Sequence, residues 1–282
     1  MLADLHSHTN LSDGTLSPDE LVQRAISREL DYLAITDHDS IDAFDQISEL
    51  PKDCGLSLLS GVEISTLWES HEIHIVGIGL DRKNPSLISL LKDQQQLRRE
   101  RAEQMDMQLQ KAGVCGLMSY LDQQACTAIS RNHVADFLIA NGVARNKEQA
   151  FKRHLNNKGR FGAKAHWCSM AKAIDTIHEA GGISILAHPN RYRMGNKKIR
   201  LLVQEFARVN GEAMEVSYSN LDPNGVAHMA DIAVLNDLWA STGSDFHTPR
   251  NQWMDLGKFR QLPPQCIERA VWHHPRWPGA RL

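Results

Sequence analysis

The chain has 282 residues, a formal net charge of −3 and an apolar fraction of 42%. This length suits one large α/β barrel or two smaller domains, and the charge argues against a general nucleic-acid coating protein, although it permits a local basic pocket. The five cysteines form no CxxC pair, Asp4 interrupts any signal-like start, and no apolar run approaches the ~18 residues of a membrane span. We therefore expect a cytoplasmic protein with free thiols and no membrane association.

In chain order, seven apolar runs are predicted to be strands, and helices with capping signals lie between several of them. Ser17, followed by Pro18 and Glu20, predicts a helix over 17–30. Further helices are predicted to begin at Ser169 and near Asn196 and to stop at Gly181 and Gly211. The predicted strands are a first one near Leu2 and the runs 32–36, 56–64, 74–80, 183–188, 213–219 and 238–244. This alternation predicts a mostly parallel sheet, either a closed barrel or a doubly wound sheet.

Residues 85–165 break the alternation, because they are polar, mostly helical in pattern and without a convincing strand. We expect a helical insertion there, on one face of a barrel built from 1–84 and 166–282, that forms part of the substrate pocket. Arg98, Arg99 and Arg101 alternate with acidic residues and are interpreted as a charged, solvated helix face.

The segment DLHSHTNLSDG at residues 4–14 contains the first chemical signal. His6 and His8 are two residues apart, so in an extended chain they point to the same side. Two adjacent imidazoles are unfavourable unless something binds both, and the usual ligand is a metal ion.

Histidines and carboxylates recur where the other predicted strands end. Each alone has an ordinary explanation as a hydrogen-bonded histidine, a helix cap or a turn residue. Together they predict a metal site, because parallel α/β folds collect the ends of their strands at one rim. The residues concerned are His6, His8, Asp13, Asp37, His38, Asp39, Glu63, His74, His188, Asp245 and His247.

This pattern resembles the PHP (polymerase and histidinol phosphatase) superfamily. Its four motifs match as HxH at 6–8, DH at 37–38, His-Pro at 188–189 and SDxH at 244–247. The resemblance covers nearly the whole chain and implies an α/β fold, a distorted (β/α)7 barrel that binds two to three divalent transition metals. It is strongest to the subgroup that acts on nucleoside 3′,5′-bisphosphates and on short 5′-phosphorylated RNA.

The resemblance also implies a ligand set. The first metal would be held by His6, His8, Glu63 and Asp245. Glu63 would bridge to a second metal held by His74 and His188, and the third would be held by Asp13, His38 and His247. Because many relatives have histidine where this chain has Asp13, a harder ligand, we expect manganese, with iron or zinc as alternatives. Asp4, Asp37 and Asp39 are expected to orient imidazoles.

Phosphate contacts are implied for four residues, namely Arg131, His133, Lys164 and Arg191. Their side chains suit charge-assisted hydrogen bonds to phosphate. The plainer alternative is that these basic residues belong to a solvated surface.

The reaction implied is metal-assisted hydrolysis of a phosphoester, with Asp245, His247 and Glu63 as catalytic candidates. The substrate is expected to be a nucleoside 3′,5′-bisphosphate, cleaved at its 3′-phosphate, or short 5′-phosphorylated RNA degraded 5′ to 3′. The proton donor to the leaving oxygen stays open between His247, Asp245 and water. We expect no stable protein partner. Two alternatives remain: a phosphatase for another metabolite, such as histidinol phosphate, and a non-catalytic metal-binding module.

Overall fold

A single curved sheet lies at the centre of the computed structural model, which describes residues 1–48, 54–156, 159–250 and 252–280. Seven strands follow one another in the order β1-β2-β3-β4-β6-β7-β8, and the short β5 pairs with β3 beside this path. The strands are β1 (Ala3–Asp4), β2 (Tyr32–Ile35), β3 (Ser57–Trp68), β4 (His71–Ile78), β5 (Cys168–Ser169), β6 (Ile183–Leu186), β7 (Ala213–Tyr218) and β8 (Trp239–Gly243).

The two ends of the sheet meet and nearly close it. Leu5 N donates to Thr242 O at 3.1 Å, and Asp245 N donates to His6 O at 2.9 Å. Ser7 and Phe246 add a parallel bridge just beyond the strands. The expected α/β fold, a distorted barrel of seven strands, is therefore confirmed.

The fourth strand departs from the expected parallel order. β4 runs antiparallel to both β3 and β6. Only two residues separate β3 from β4, too few for the crossover that a parallel pair requires. Because β4 is reversed, its amino-terminal half lies at the rim where β3 carries Glu63, and His74 pairs there with Ser65.

Helices cover the outside of the sheet, and their apolar side chains form a hydrophobic core with those of the strands. The helix after Ser17 has the predicted capping box with Glu20. Fully buried side chains such as Ile177 and Phe206 pack against Val62 and Met214 of the strands. The helices are α1 (Pro18–Ser27), α2 (Pro85–Lys111), α3 (Leu117–Leu121), α4 (Arg131–Ala140), α5 (Lys147–Ala150), α6 (Met170–Glu179), α7 (Asn196–Arg208), α8 (Pro223–Leu235) and α9 (Pro264–Ile267).

α2 joins the barrel to the helices that follow. Leu87 and Leu91, in its first half, pack into the barrel core. Met105 and Leu109, in its second half, pack into a separate hydrophobic cluster that also contains Val134 of α4. The described helices include none that is both long and apolar enough to cross a membrane.

Candidate metal centre

The two histidines of the opening motif turn their side chains toward each other. His6 Nε2 lies 3.1 Å from His8 Nε2, and both rings are fully buried. His6 Nε2 is also 3.3 Å from Glu63 Oε1 and 3.5 Å from Asp245 Oδ1. Four potential ligand atoms, from the residues that follow β1 and β8 and from the middle of β3, thus lie close together.

Glu63 is the hub of the cluster. Its Oε1 lies 2.9 Å from His74 Nδ1 and 3.1 Å from His188 Nε2, whereas its Oε2 lies 2.7 Å from His38 Nδ1. Burial raises the pKa of this carboxyl, but the neighbouring imidazoles, His74 foremost, outweigh burial and hold the pKa well below its usual range. An ionised carboxylate that reaches several imidazoles can bridge two cations.

Asp13 lies close to two histidines of the cluster. Its Oδ1 lies 3.2 Å from His247 Nε2 and 3.7 Å from His38 Nε2. Three overlapping groups have ligand atoms within 4.8 Å of one another. They are His8, Asp13, His38 and His247; His6, His8 and Glu63; and His38, Glu63 and His74.

The hydrogen bonding of the cluster indicates that cations belong in it. Asp13 Oδ1 and Glu63 Oε2 are buried and lie 3.2 and 2.7 Å from imidazole nitrogens, but they accept no well-directed hydrogen bond from the residues that the structure describes. Buried carboxylate oxygens without a hydrogen bond are costly, so they need an explanation such as an ion. Burial also lowers the pKa of His8 to about 3, which keeps its imidazole neutral and able to bind a metal. The donor set fits divalent metal ions.

Two residues of the cluster have an uncommon backbone conformation. His188 and Asp245 have positive φ angles of 32° and 54°, in the left-handed region that non-glycine residues seldom adopt. Strain of this kind collects at functional sites, where the surrounding structure holds it in place.

Glu215 is a residue of the centre that the sequence analysis missed. Its Oε1 lies 2.6 Å from His6 Nδ1, and its Oε2 accepts a hydrogen bond of 2.6 Å from His188 N. The first contact fixes which nitrogen of His6 faces the cluster, as carboxylates beside metal-binding histidines do. The single charged residue of the predicted strand 213–219 was the available signal.

The three aspartates expected to orient imidazoles do not touch an imidazole ring, and that prediction is wrong. Instead they accept hydrogen bonds that shape the loops on either side of the histidines. Asp4 accepts from Ser244 N and Gly257 N, Asp37 accepts from Thr9 and Ser12, and Asp39 accepts from Gln94 and Arg98.

A cavity of about 290 Å³ opens above the cluster, and it has two chemically different sides. The predicted metal ligands line one side, Glu63, Asp245 and His247 among them. The helical residues 85–155 supply the other side. Their lining side chains include Arg98, Arg101, Ala102, Met105, Arg131, Val134 and Phe151.

Arg98 and Arg101 are not on the solvated helix face that the sequence analysis assigned to them. Both are only 7% exposed. Arg98 pairs with Asp39 at 2.6 Å, and Arg101 donates to both carboxylate oxygens of Glu72 at 2.8 and 3.1 Å. These ion pairs attach α2 to the barrel at the edge of the cavity.

The four predicted phosphate-binding residues are placed differently from one another. Arg131 and Arg191 line the cavity, with Arg131 Nη2 3.3 Å from Glu72 Oε2. His133 uses Nδ1 to accept from Ser130 N at 3.0 Å in the cap of α4, and Lys164 is exposed. Neither His133 nor Lys164 lines the cavity, and their roles stay predictions.

Comparisons with known proteins found similar sequences and a similar fold. The family model described as PHP domain matches residues 4–209. The chain is 42% identical over 267 residues to the 5′-3′ exoribonuclease Rnm of Escherichia coli, an alignment that covers 93% of this chain and 90% of that protein. It is 36% identical over 274 residues to the 3′,5′-nucleoside bisphosphate phosphatase of Chromobacterium violaceum, covering 95% and 94%.

A solved structure of an amidohydrolase from Chromobacterium violaceum, with bound sulfate and no metal, is also similar. It superposes with a TM-score of 0.87 and 35% sequence identity, over 97% of this chain and 95% of that one.

Proposed function

Because this chain belongs to the PHP domain family, we propose that it is a metal-dependent phosphoesterase acting on nucleotides. Its substrates are nucleoside 3′,5′-bisphosphates, from which it removes the 3′-phosphate, and short 5′-phosphorylated RNA, which it degrades 5′ to 3′. The observation that carries the proposal is the buried cluster around Glu63 at the floor of a cavity lined by arginines. Two relatives aligned over nearly the whole chain bear the names of these two activities.

The proposed metal ligands are the predicted ones, arranged around Glu63. One ion is held by His6, His8, Glu63 and Asp245, a second by Glu63, His74 and His188, and a third by Asp13, His38 and His247. Bound divalent ions supply charge neutralisation at the phosphate and a nucleophilic water at neutral pH. Manganese is the proposed metal, since hard carboxylates such as Asp13 accompany the imidazoles.

The chain's own residues then bind and orient the substrate. Glu63, Asp245 and His247 line the part of the cavity where the reacting phosphate lies, and they are the proposed catalytic residues. Arg131 and Arg191 approach from different elements and hold phosphate oxygens through charge-assisted hydrogen bonds. In this proposal residues 85–165 are an insertion that completes the pocket of a barrel formed by 1–84 and 166–282.

A substrate panel tests the proposal. Phosphate release is measured with manganese from a nucleoside 3′,5′-bisphosphate, a nucleoside 3′-monophosphate and histidinol phosphate, and 5′-phosphorylated and 5′-hydroxyl RNA are followed on gels. We expect the bisphosphate to be the best small substrate and only the phosphorylated RNA to shorten from its 5′ end. Faster release from histidinol phosphate would identify a different metabolite phosphatase. No hydrolysis of any substrate would indicate a binding module, and Glu63→Gln controls for contaminating phosphatases.

A further inference from the structure

The hydrogen-bond ladder between β4 and β6 ends at His74, next to the metal cluster. The paired strands run as far as Ile75 and Leu186, and Ala187 N then donates to His74 O at 3.1 Å. In a regular antiparallel ladder, a pair of residues that makes one such bond also makes the reciprocal one. Here the reciprocal donor, His74 N, bonds to the Tyr192 hydroxyl at 2.9 Å. A side chain thus takes the place of a strand at this point.

The chain leaves the sheet shortly after β6. His188 has its positive φ angle of 32°, and its N–H donates to Glu215 of β7. A short 3₁₀ turn, Pro189–Arg191, follows and is closed by a hydrogen bond of 2.9 Å to His188 O. This turn brings Tyr192 back to the position that a longer β6 would have filled.

Tyr192 also contacts the second histidine of this part of the cluster. The centroid of its ring lies 5.4 Å from that of the His188 ring, and the two rings meet edge to face at 67°. His74 and His188 each direct a ring nitrogen at Glu63 Oε1, at 2.9 and 3.1 Å. One side chain therefore restrains both histidines proposed for the second metal, the first through its backbone and the other through its ring.

We propose that Tyr192 is a positioning residue that holds His74 and His188 in place for the second metal ion. This inference rests on the proposed function, because it takes the metal ligands from there. Groups that orient metal ligands typically change metal affinity by about ten- to a hundredfold when they are removed. Tyr192 is not among the described residues that line the cavity above the cluster. Its removal should therefore act on the metal and not on phosphate binding.

Calorimetric titration of the metal-free protein with manganese measures the effect directly. Tyr192→Phe keeps the ring but removes the hydroxyl, and it should weaken one class of manganese site by about tenfold. Tyr192→Leu removes both contacts and should weaken the same class by up to about a hundredfold. The other sites should keep their wild-type affinities. Half-maximal activity should need correspondingly more manganese, whereas kcat at saturating manganese should stay near its wild-type value.

Two further variants separate positioning from folding. His74→Ala removes a ligand of the second metal and so identifies the affected class of site. In that background Tyr192→Phe should have no further effect on manganese affinity, as expected when one group acts through the other. Tyr32→Phe is the matched control, because this hydroxyl also donates to a backbone oxygen, Gly279 O at 3.2 Å, but does so at the start of β2, away from the cluster. It should bind manganese like the wild type.

Several outcomes would overturn the positioning role of Tyr192. They are unchanged manganese affinities in both Tyr192 variants, an equal loss of affinity at every site, and a further loss from Tyr192→Phe in the His74→Ala background. A wild type that binds manganese but hydrolyses no phosphoester would refute the proposed function and not the positioning role. A wild type that binds no manganese, iron or zinc would refute both.

Discussion

Arg191 contacts Asp245 directly, so a guanidinium is paired with a carboxylate of the proposed metal set. The arginine is held from two other sides, since it donates to Ser219 O at 3.2 Å and lies over the Tyr218 ring at 5.2 Å. Its charge therefore compensates one side of Asp245, whose other oxygen, Oδ1, lies 3.1 Å from His8 Nε2. A cation bound at Oδ1 would lie close to the positive charge of Arg191.

Replacing Arg191 by Gln should have opposite effects on metal and substrate. Removal of this neighbouring positive charge should tighten manganese binding several-fold, while loss of a phosphate contact worth about 1.5–3 kcal/mol should raise KM about ten- to a hundredfold. Calorimetric titration of metal-free protein with manganese and steady-state kinetics measure the two effects. Arg193→Gln, an exposed neighbour, is the matched control. Weaker manganese binding in Arg191→Gln would contradict this electrostatic repulsion.

Replacing Glu63 by Gln should remove metal and nearly abolish turnover. The amide cannot supply the charge that the carboxylate shares among His38, His74 and His188, so more than one site should lose affinity. Elemental analysis and phosphate release measure the effect, with the far-UV spectrum as the check on folding. Normal metal content with near-normal activity would refute the hub role of this residue.

The sequence contained enough to predict the barrel and the cluster, because both depend on regular patterns. Strand-helix alternation predicts the sheet, and residues such as His6, His188 and Asp245 directly follow apolar strands that must end at one rim. The reversal of β4 was not predicted, since an apolar run looks the same in either direction. The predicted strands 56–64 and 74–80 left nine residues between them, so the two-residue connection of the hairpin was not foreseen either.

The buried arginines could not be predicted for a different reason. α2 has a weakly segregated, polar sequence, so its pattern does not show which charges face inward. The partner that makes burial of Arg98 tolerable, Asp39, lies 59 positions away, and Glu72 lies 29 positions from Arg101. Pairings at such distances depend on the tertiary fold, and the unexpected role of Glu215 has the same origin.

Arg98→Met should destabilise the protein far more than the same change one residue later. Arg98 donates to Asp39, to Ser65 Oγ and to Ile129 O, and removing one partner of a buried pair costs about 3–5 kcal/mol. Arg99→Met removes an exposed pair with Asp122 and should cost less than about 1 kcal/mol. Urea unfolding of the metal-free variants measures both. Equal costs would mean that the Arg98 pair does not hold α2 on the barrel.

Arg131→Ala should impair the bisphosphate selectively. The loss of one charge-assisted contact, worth about 1.5–3 kcal/mol, should lower kcat/KM for a nucleoside 3′,5′-bisphosphate by about ten- to a hundredfold. Hydrolysis of a simple aryl phosphate should change much less, because that substrate has no second phosphate. Arg153→Ala, an exposed residue of the same helical segment, should affect neither. If kcat/KM fell equally for both substrates, Arg131 would be stabilising the metal centre or the fold and not binding the second phosphate.

Far from the metal cluster, Glu212 ties the carboxyl-terminal segment to the barrel. Its Oε2 lies 2.9 Å from His178 Nε2 and accepts from Ser184 N at 3.1 Å, while its Oε1 pairs with Arg276. Burial raises the pKa of this carboxyl, but these hydrogen bonds outweigh burial and lower the pKa to about 2. The charged form is therefore favoured in the folded state.

The stability that Glu212 contributes should depend on pH in a defined direction. An unfolded glutamate has a pKa near 4.3, so the contribution is complete above about pH 5 and is lost as the pH falls toward 2. Glu212→Gln should lower the free energy of unfolding by about 1–3 kcal/mol at pH 6, and the difference from wild type should shrink at pH 3. Urea unfolding of metal-free protein at both pH values measures this, with exposed Glu268→Gln as the control for net charge. A difference that is the same at both pH values would show that the residue acts through packing and not through its charge.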